Sequence, residues 1–151
     1  MKGRAAVLAL LAALALAGCG GEGRLSKEEY EAKVRAVYAE VQAAFQRTNA
    51  AGGELGERLA DAQAALRGAA EELEGVPPPE EVEEEHEEIV EGLRGYADDL
   101  DPVREAAERG DRAAVDAFNA AIASNESVER IAEAAEEMKV KGYDLGPIAE
   151  E

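Results

Sequence analysis

The sequence predicts an all-α protein, an antiparallel four-helix bundle that follows an N-terminal segment of different character. Over residues 26–142, apolar residues return every three or four positions, which is the period of one face of an α-helix. The alternation of β-branched residues that indicates strands is absent from the sequence. Short glycine- or proline-rich joints separate the helical segments, and short joints favour antiparallel neighbours.

The first 18 residues have the layout of a secretory signal. Lys2 and Arg4 form a basic start, and Ala5 to Ala17 is an uninterrupted apolar run of 13 residues. A helix of that length rises only about 20 Å, whereas the hydrocarbon core of a bilayer is about 30 Å thick. We therefore expect residues 1–18 to be a cleaved signal and not a permanent membrane span.

A single cysteine ends this region, in the stretch Leu16-Ala17-Gly18-Cys19. The stretch resembles the lipobox of bacterial lipoproteins, in which a leucine and two small residues precede an obligatory cysteine. The resemblance implies that a diacylglyceryl group modifies the Cys19 thiol, that signal peptidase II cuts before Cys19, and that acyl chains such as palmitate anchor the protein. The alternative is a small buried thiol at the end of an uncleaved anchor. No second cysteine is available for an intramolecular disulfide.

The resemblance also implies a location on the extracytoplasmic face of the cell membrane. Gly20 follows the cysteine in place of an aspartate retention signal, so a cell with two membranes could sort the protein to its outer membrane. Residues 19–25 are predicted to be the lipidated cysteine and a glycine-rich tether. Because Gly20 to Arg24 spans no more than about 18 Å when extended, the helical domain at residues 26–142 must lie close to the bilayer.

The charge of the exported part excludes one class of partner. Residues 19–151 hold all 34 acidic side chains but only 14 of the 16 basic ones, which gives a formal charge of −20. Nucleic-acid binding requires lysine and arginine to neutralise phosphates, so we expect no nucleic-acid partner. The acidic surface is typical of a soluble, solvated domain, and it could also attract cations or a basic partner such as another envelope protein.

The first two helices are predicted at about Lys27–Thr48 and Glu54–Glu74. Ser26 and Glu29 form a capping box before the first, and residues 75–79, which contain Gly75 and three prolines, end the second. The apolar stripe of the first helix consists of Tyr30, Val34, Val37, Val41 and Phe45. The stripe of the second consists of Leu55, Leu59, Ala62, Leu66, Ala69 and Leu73.

The third helix is predicted from Pro79 to about Arg109. Its stripe consists of Val82, His86, Ile89, Leu93, Tyr96, Leu100, Val103 and Ala107. Because the stripe keeps its phase across Pro102, we favour one helix kinked at that proline; the alternative is that Asp101 caps a separate short helix.

The fourth helix is predicted from Asp111, an N-cap, to about Lys141. Its inward residues are Val115, Phe118, Ile122, Val128, Ile131, Ala135 and Met138. A three-residue step in the stripe at Asn125 predicts slight overwinding of a continuous helix. Residues 143–151, which include Gly146 and Pro147, are predicted to form a C-terminal tail. Many inward positions are alanine, so little room is left for a cofactor, and we expect none.

The candidate metal-binding residues lie in the stretch PEEVEEEHEEIVE, Pro79 to Glu91, which surrounds the only histidine. Glu83 and His86 are three residues apart and share a helical face, a spacing that can ligate iron, manganese or zinc. A di-metal site needs this motif on two helices, and the chain has one histidine. The favoured interpretation is a partly buried histidine in the apolar stripe, paired with Glu83; a metal site and a pH-sensing or partner-contact role are the alternatives.

No pattern in the sequence indicates catalysis. The serines lack the Gly-x-Ser-x-Gly elbow of hydrolases, and no phosphate-binding glycine loop or zinc motif occurs. Tyr30, Tyr38 and Tyr96 are expected to pack in or beside the core. We therefore expect a protein that is not an enzyme.

The region after Cys19 resembles the small alanine-rich helical lipoproteins of high-GC bacteria. The resemblance rests on a Ser26-Lys27-x-x-Tyr30 opening, Pro77-Pro78-x-Glu80 before the third helix, and Gly110-Asp111 before the fourth. It implies architecture and location but no activity. The first functional hypothesis is a membrane-anchored binding or interaction module of the cell envelope. The alternatives are a metal-binding protein or metal-dependent enzyme centred on Glu83 and His86, and a structural spacer.

Overall fold

The computed structural model describes residues 23–50 and 53–149, and every regular element in these residues is helical. No strand occurs in this part of the chain, so the all-α prediction is confirmed. The predicted signal at residues 1–18 and Cys19 lie outside the described residues.

Six α-helices carry the described fold. They are α1 Lys27–Ala50, α2 Leu55–Glu74, α3 Glu83–Asp99, α4 Asp101–Glu108, α5 Arg112–Ala121 and α6 Glu126–Val140. Single 3-10 turns occupy Glu80–Val82, Ile122–Ser124 and Gly146–Ala149. The predicted helical segments are thus all helical, but the third and fourth are interrupted.

The start of α1 has the predicted capping box. The Glu29 carboxylate accepts a hydrogen bond from the Ser26 backbone N–H at 3.0 Å, and the Ser26 hydroxyl oxygen accepts one from the Glu29 N–H at 3.4 Å. Both bonds satisfy N–H groups that the first helical turn leaves without an intrahelical partner. The Ser26 N–H and the Ser26 hydroxyl, which donates to the Glu29 carboxylate at 2.8 Å, lower the pKa of Glu29.

The predicted third helix is interrupted at Leu100, between α3 and α4. Leu100 keeps helical dihedrals, φ −77° and ψ −16°, and its side chain stays buried in phase with Val103. Pro102 has no N–H for the carbonyl four residues earlier, which breaks the hydrogen-bond ladder. Asp101 caps neither helix, since its carboxylate accepts a hydrogen bond from the Gln63 amide at 2.8 Å. The favoured single kinked helix is therefore two helices, α3 and α4, separated at Leu100 without a side-chain cap, and Ala106 is buried where Ala107 was expected.

The prediction of a continuous fourth helix is wrong. The 3-10 turn at Ile122–Ser124 is overwound as expected, but the helix then stops at Asn125, whose backbone is extended at φ −77° and ψ 126°. The Asn125 side chain accepts a hydrogen bond from the Val128 N–H at 3.1 Å and so caps a new helix, α6. Ile122, expected to point inward, is 37% exposed because it lies in this break.

The buried side chains form one main cluster and two smaller ones. Helix α3 packs against α2 and α6, α1 packs against α2, and α4 packs against α2 and α5. The largest fully buried side chains are Tyr30, Met138, Leu145, Val34 and Val82, all in the main cluster. Leu55, expected to point inward at the start of α2, is 39% exposed.

Both ends predicted to lie free of the core contribute to it. Gly142, at φ 87°, turns the chain back after α6, so that Tyr143 and Leu145 are buried. The described part of the tail assigned to residues 143–151 therefore packs on the helical domain. At the other end, the Leu25 N–H donates to the Pro77 carbonyl at 3.0 Å, so the last residue of the predicted tether packs on the α2–α3 loop.

Candidate functional site

The only histidine is a buried residue shared by three helices. His86 lies in the first turns of α3 and is 5% exposed. Its Nδ1 atom is 3.0 Å from the Tyr30 hydroxyl of α1, and the two rings meet edge to face with centroids 5.7 Å apart. The backbone of Leu73 in α2 also hydrogen-bonds to the imidazole.

These two contacts define the tautomer of the imidazole. The hydrogen bond to the Leu73 backbone raises the pKa of His86, so it stabilises the protonated ring. In such a bond a ring N–H donates and the Leu73 carbonyl accepts. With that proton on Nε2, Nδ1 is an acceptor, and the Tyr30 O–H donates to it. In this tautomer, Tyr30 and the Leu73 carbonyl bond to the two nitrogens of a neutral His86.

The environment of His86 keeps the ring neutral. Burial lowers its pKa, while the Leu73 carbonyl and the charges of Glu87 and Glu83 raise it, and the balance leaves the pKa below the usual value. Tyr30 is fully buried, and burial also raises the pKa of its hydroxyl. The pair is therefore an uncharged hydrogen-bonded unit at neutral pH.

A second polar cluster lies where the start of α3 meets the end of α6. Glu85 is 5% exposed, and its Oε1 atom accepts a hydrogen bond from Lys141 Nζ. Lys141 also donates to the Glu81 carbonyl at 2.7 Å, and the Tyr143 hydroxyl donates to Glu81 Oε1 at 2.6 Å. The Glu85 Oε2 atom has no hydrogen-bond partner among the described residues.

Lys141 keeps this buried carboxylate charged. Burial raises the pKa of Glu85. The hydrogen bond from Lys141, a bond to the Glu85 backbone and the charge of Lys141 together lower it by more, so the pKa lies below its usual range. For Tyr143, burial and the hydrogen bond to Glu81 raise the pKa of the hydroxyl. Tyr143, like Tyr30, thus stays protonated at neutral pH.

An acidic groove opens above His86, between α3 and the loop that follows α2. It encloses about 540 Å³ and is lined by Val76, Pro77, Pro78, His86 and Val90, with carboxylates along its edge. We call it the α2–α3 groove. Two of its glutamates form ion pairs, Glu74 with Arg94 at 2.6 Å and Glu83 with Arg24 at 2.8 Å.

Glu83 and His86 both line the α2–α3 groove, but each has another hydrogen-bond partner. The Glu83 carboxylate binds Arg24, and the His86 ring binds Tyr30 and Leu73 instead. Within residues 23–50 and 53–149, no group of three or more histidine, cysteine, aspartate or glutamate side chains could hold a metal ion. Cys19, the predicted lipidation site, lies outside those residues.

Sequence reasoning missed Glu85 and the tail residues of this site. Glu85 follows Val82 by three positions and precedes Ile89 by four, so the helical period already placed it on the buried face. The run of glutamates around Glu85 favoured the interpretation that its side chain is exposed to solvent. Tyr143 was missed because it follows the turn at Gly142, where helical periodicity stops.

Comparison with known proteins gives no identity for the chain. No protein-family model, no curated protein and no solved structure matches it. Within the described residues, no helix is both long enough and apolar enough to span a bilayer.

Proposed function

We propose that the chain is a bacterial lipoprotein, held on the extracytoplasmic face of a membrane by a diacylglyceryl group on Cys19. The observation that carries the proposal is the stretch Leu16-Ala17-Gly18-Cys19 at the end of a basic and then apolar segment. Two or more acyl chains give stable anchoring where one gives only marginal binding.

The contacts of the chain at Arg24 support a short distance between the helices and the membrane. Arg24 donates to the Pro78 carbonyl at 3.0 Å and binds Glu83, so the chain is already attached to the helical domain at this residue. Five peptide steps from Cys19 to Arg24 span at most about 18 Å. In this proposal the α2–α3 groove lies at the end of the domain nearest the bilayer.

The proposed architecture is an antiparallel four-helix bundle, with α1, α2, the consecutive α3 and α4, and α6 as its main helices. Contacts between opposite ends support this direction of packing. Lys33, near the start of α1, binds Glu72 at the end of α2. Gln63 of α2 donates to the Ala97 carbonyl near the end of α3 at 2.9 Å. Glu85, at the start of α3, binds Lys141 just after α6.

A binding module is favoured over an enzyme because the buried histidine and the buried carboxylate are each held by partners within the fold, with only Glu85 Oε2 left without a hydrogen bond among the described residues. Both nitrogens of His86 are hydrogen-bonded, and the Glu85 carboxylate is neutralised by Lys141. The α2–α3 groove, by contrast, is open and lined by both apolar and acidic side chains. This open groove favours a binding role over that of a spacer.

Metabolic labelling tests the anchoring. Cells that express the full chain in the presence of labelled palmitate are expected to yield a labelled protein that external protease degrades in spheroplasts. Cys19→Ala should abolish the label, whereas Gly20→Ala, which alters the neighbouring residue and keeps the thiol, should retain it. Equal labelling of all three chains, or protection of the wild type from external protease, would refute the proposal.

A further inference from the structure

We propose that the α2–α3 groove binds a basic segment of a partner polypeptide, with the alkyl part of a lysine or arginine side chain over Val90 and His86 and its charge at Glu87. This inference rests on the proposed binding function and names the chemistry of the partner. It concerns the groove alone and does not depend on how the chain is anchored.

The shape and lining of the groove fit a side chain that is apolar along its length. Val76, Pro77 and Pro78 form one wall, and Val90 and the edge of His86 face them from α3. Its volume of about 540 Å³ lies in the usual range for ligand sites, about 300–1,000 Å³. Lysine and arginine cover apolar surface with their methylene groups and keep the charge at the rim.

The charges around the groove leave one carboxylate for a ligand. Three of its four glutamates are each paired with an arginine: Glu74 with Arg94, Glu83 with Arg24, and Glu91 with Arg130 at 2.8 Å. Glu87 lines the groove and is exposed, and it forms no ion pair within the described part of the chain. A cation placed there would find an uncompensated negative charge next to apolar surface.

Charge complementarity favours a polypeptide partner over a metal ion. The described residues hold no group of three ligands for a metal, so a lone divalent cation has one free carboxylate to bind. The formal charge of the chain, −18, attracts basic segments over distances of a Debye length and orients their approach. Direct contact in the groove then adds an apolar contribution that a small ion cannot make.

Charge reversal at two neighbouring glutamates separates groove binding from general attraction. Glu87 and Glu88 are both exposed on α3, and Glu87→Lys and Glu88→Lys change the net charge equally, but only Glu87 lines the groove. The probe is a capped octapeptide of alternating lysine and leucine, titrated calorimetrically into the full chain in a nonionic detergent. Glu87→Lys should weaken binding by about tenfold, and Glu88→Lys by less than about twofold.

Two altered peptides test the chemistry of the ligand. Replacing its lysines by glutamates should abolish binding, and replacing its leucines by serines should weaken binding several-fold. The imidazole NMR signal of His86, the only histidine, reports occupancy directly, because a bound cation beside Glu87 should lower the pKa of His86.

Equal losses in the two charge-reversal variants would overturn the proposal, since binding would then depend on net charge alone. An unchanged His86 signal at saturating peptide would also overturn it. A shift of the His86 signal caused by calcium but not by the peptide would overturn the proposal as well. Sedimentation showing that a second copy of the chain fills the groove would have the same effect. The titration measures peptide binding in solution and is independent of the lipid on Cys19. A chain that carries no lipid can therefore still bind the peptide, and a lipidated chain can lack peptide binding, so the two proposals are tested separately.

Discussion

At the scale of single residues, the fold depends on a few polar side chains that are buried with their partners. His86 joins α3 to Tyr30 of α1 and to the Leu73 carbonyl of α2 through one neutral ring. A neutral ring with two hydrogen bonds connects three helices without the desolvation cost of a buried charge. The ring therefore has a structural role that depends on its protonation state.

We expect stability to fall as the pH drops below about 6.5, because the folded state holds the pKa of His86 below its unfolded value. As the pH falls, the unfolded chain takes up the proton before the folded chain does. The contribution of His86 to stability is therefore fully present above the unfolded-state pKa and is lost as the pH falls toward the folded-state pKa. His86→Gln cannot take up a proton and should remove this part of the dependence. Denaturant unfolding of both chains between about pH 5 and pH 8 measures it; parallel stability curves would contradict the assignment.

The buried Glu85 gives a second prediction. Lys141→Met leaves the carboxylate buried without its cation, and we expect a loss of about 1–3 kcal/mol in the free energy of unfolding at pH 7. Without Lys141, only the bonds to the Glu85 backbone and to Glu137 still oppose burial, so the pKa of Glu85 should rise above its wild-type value. Protonation at lower pH then relieves the penalty. The difference between variant and wild type should therefore shrink as the pH falls toward 4.

Lys139→Met is the matched control for this change. Lys139 is half exposed and pairs with Glu136 on the surface of the same helix. Its replacement should alter stability by less than about 0.5 kcal/mol. Equal effects of the two lysine variants, or a Lys141→Met penalty that is independent of pH, would show that the ion pair to Glu85 has no special role.

At the scale of secondary-structure elements, two glycines decide how closely α3 and α6 pack. A Cβ added at Gly92 would lie 2.5 Å from Ile131 Cγ1 and 3.0 Å from the Ser127 carbonyl. One added at Gly95 would lie 2.6 Å from Ser127 Oγ. Because one of these neighbours is backbone, the helices would have to separate to accept a side chain at Gly92.

Gly92→Ala is therefore expected to destabilise the protein by about 1–3 kcal/mol, through overpacking of the α3–α6 contact. Gly68→Ala provides the control, since a Cβ at this exposed position of α2 meets no atom within 4 Å. Alanine is the better helix former, so Gly68→Ala should stabilise by up to about 1 kcal/mol. Thermal unfolding of both variants tests the packing; a stable Gly92→Ala would contradict it.

The break between α5 and α6 gives a prediction at the same scale. Asn125 caps α6, and its amide also donates to the Asp99 carboxylate at 2.9 Å. Asn125→Ala should cost about 1–2 kcal/mol through loss of the cap. Asn119→Ala removes an exposed asparagine inside α5 and should have almost no effect. A small effect at both positions, measured by denaturant unfolding, would favour a continuous helix.

The sequence predicts helices better than it predicts where they are interrupted. Periodicity identified every helical segment, because burying one face requires the same spacing along the whole element. It cannot detect Asn125 as a cap, since an asparagine is compatible with both a helix interior and a new start. Likewise, Tyr143 and Leu145 fill the core only because Gly142 turns the chain, which is a tertiary effect.

At the scale of the whole molecule, the lysines of the described residues gather at the end of the domain that holds the start of α1 and the end of α6. Lys27 lies over the Tyr143 ring, 4.9 Å from its centroid, and Lys33, Lys139 and Lys141 lie near the same start of α1 and end of α6. In the proposed orientation these cations reduce the repulsion between a strongly acidic protein and anionic lipid.

The candidate site could be predicted from the sequence only in part. The position of His86 in the apolar stripe indicated a buried histidine, and the structure buries it. Its partners are Tyr30 and Leu73, from helices distant in sequence, in place of the expected Glu83. Local spacing predicts which side chains share a face of one helix, whereas pairing across helices depends on how the helices pack.

The central claim is that Cys19 becomes the lipidated first residue of the protein, and the intact mass of the full-length gene product tests it most directly. Mass spectrometry of the protein extracted from bacterial membranes should show the loss of residues 1–18 and the addition of a diacylglyceryl group, located on Cys19 by fragmentation. A mass equal to the whole chain, with residues 1–18 retained and a free thiol at Cys19, would contradict the account.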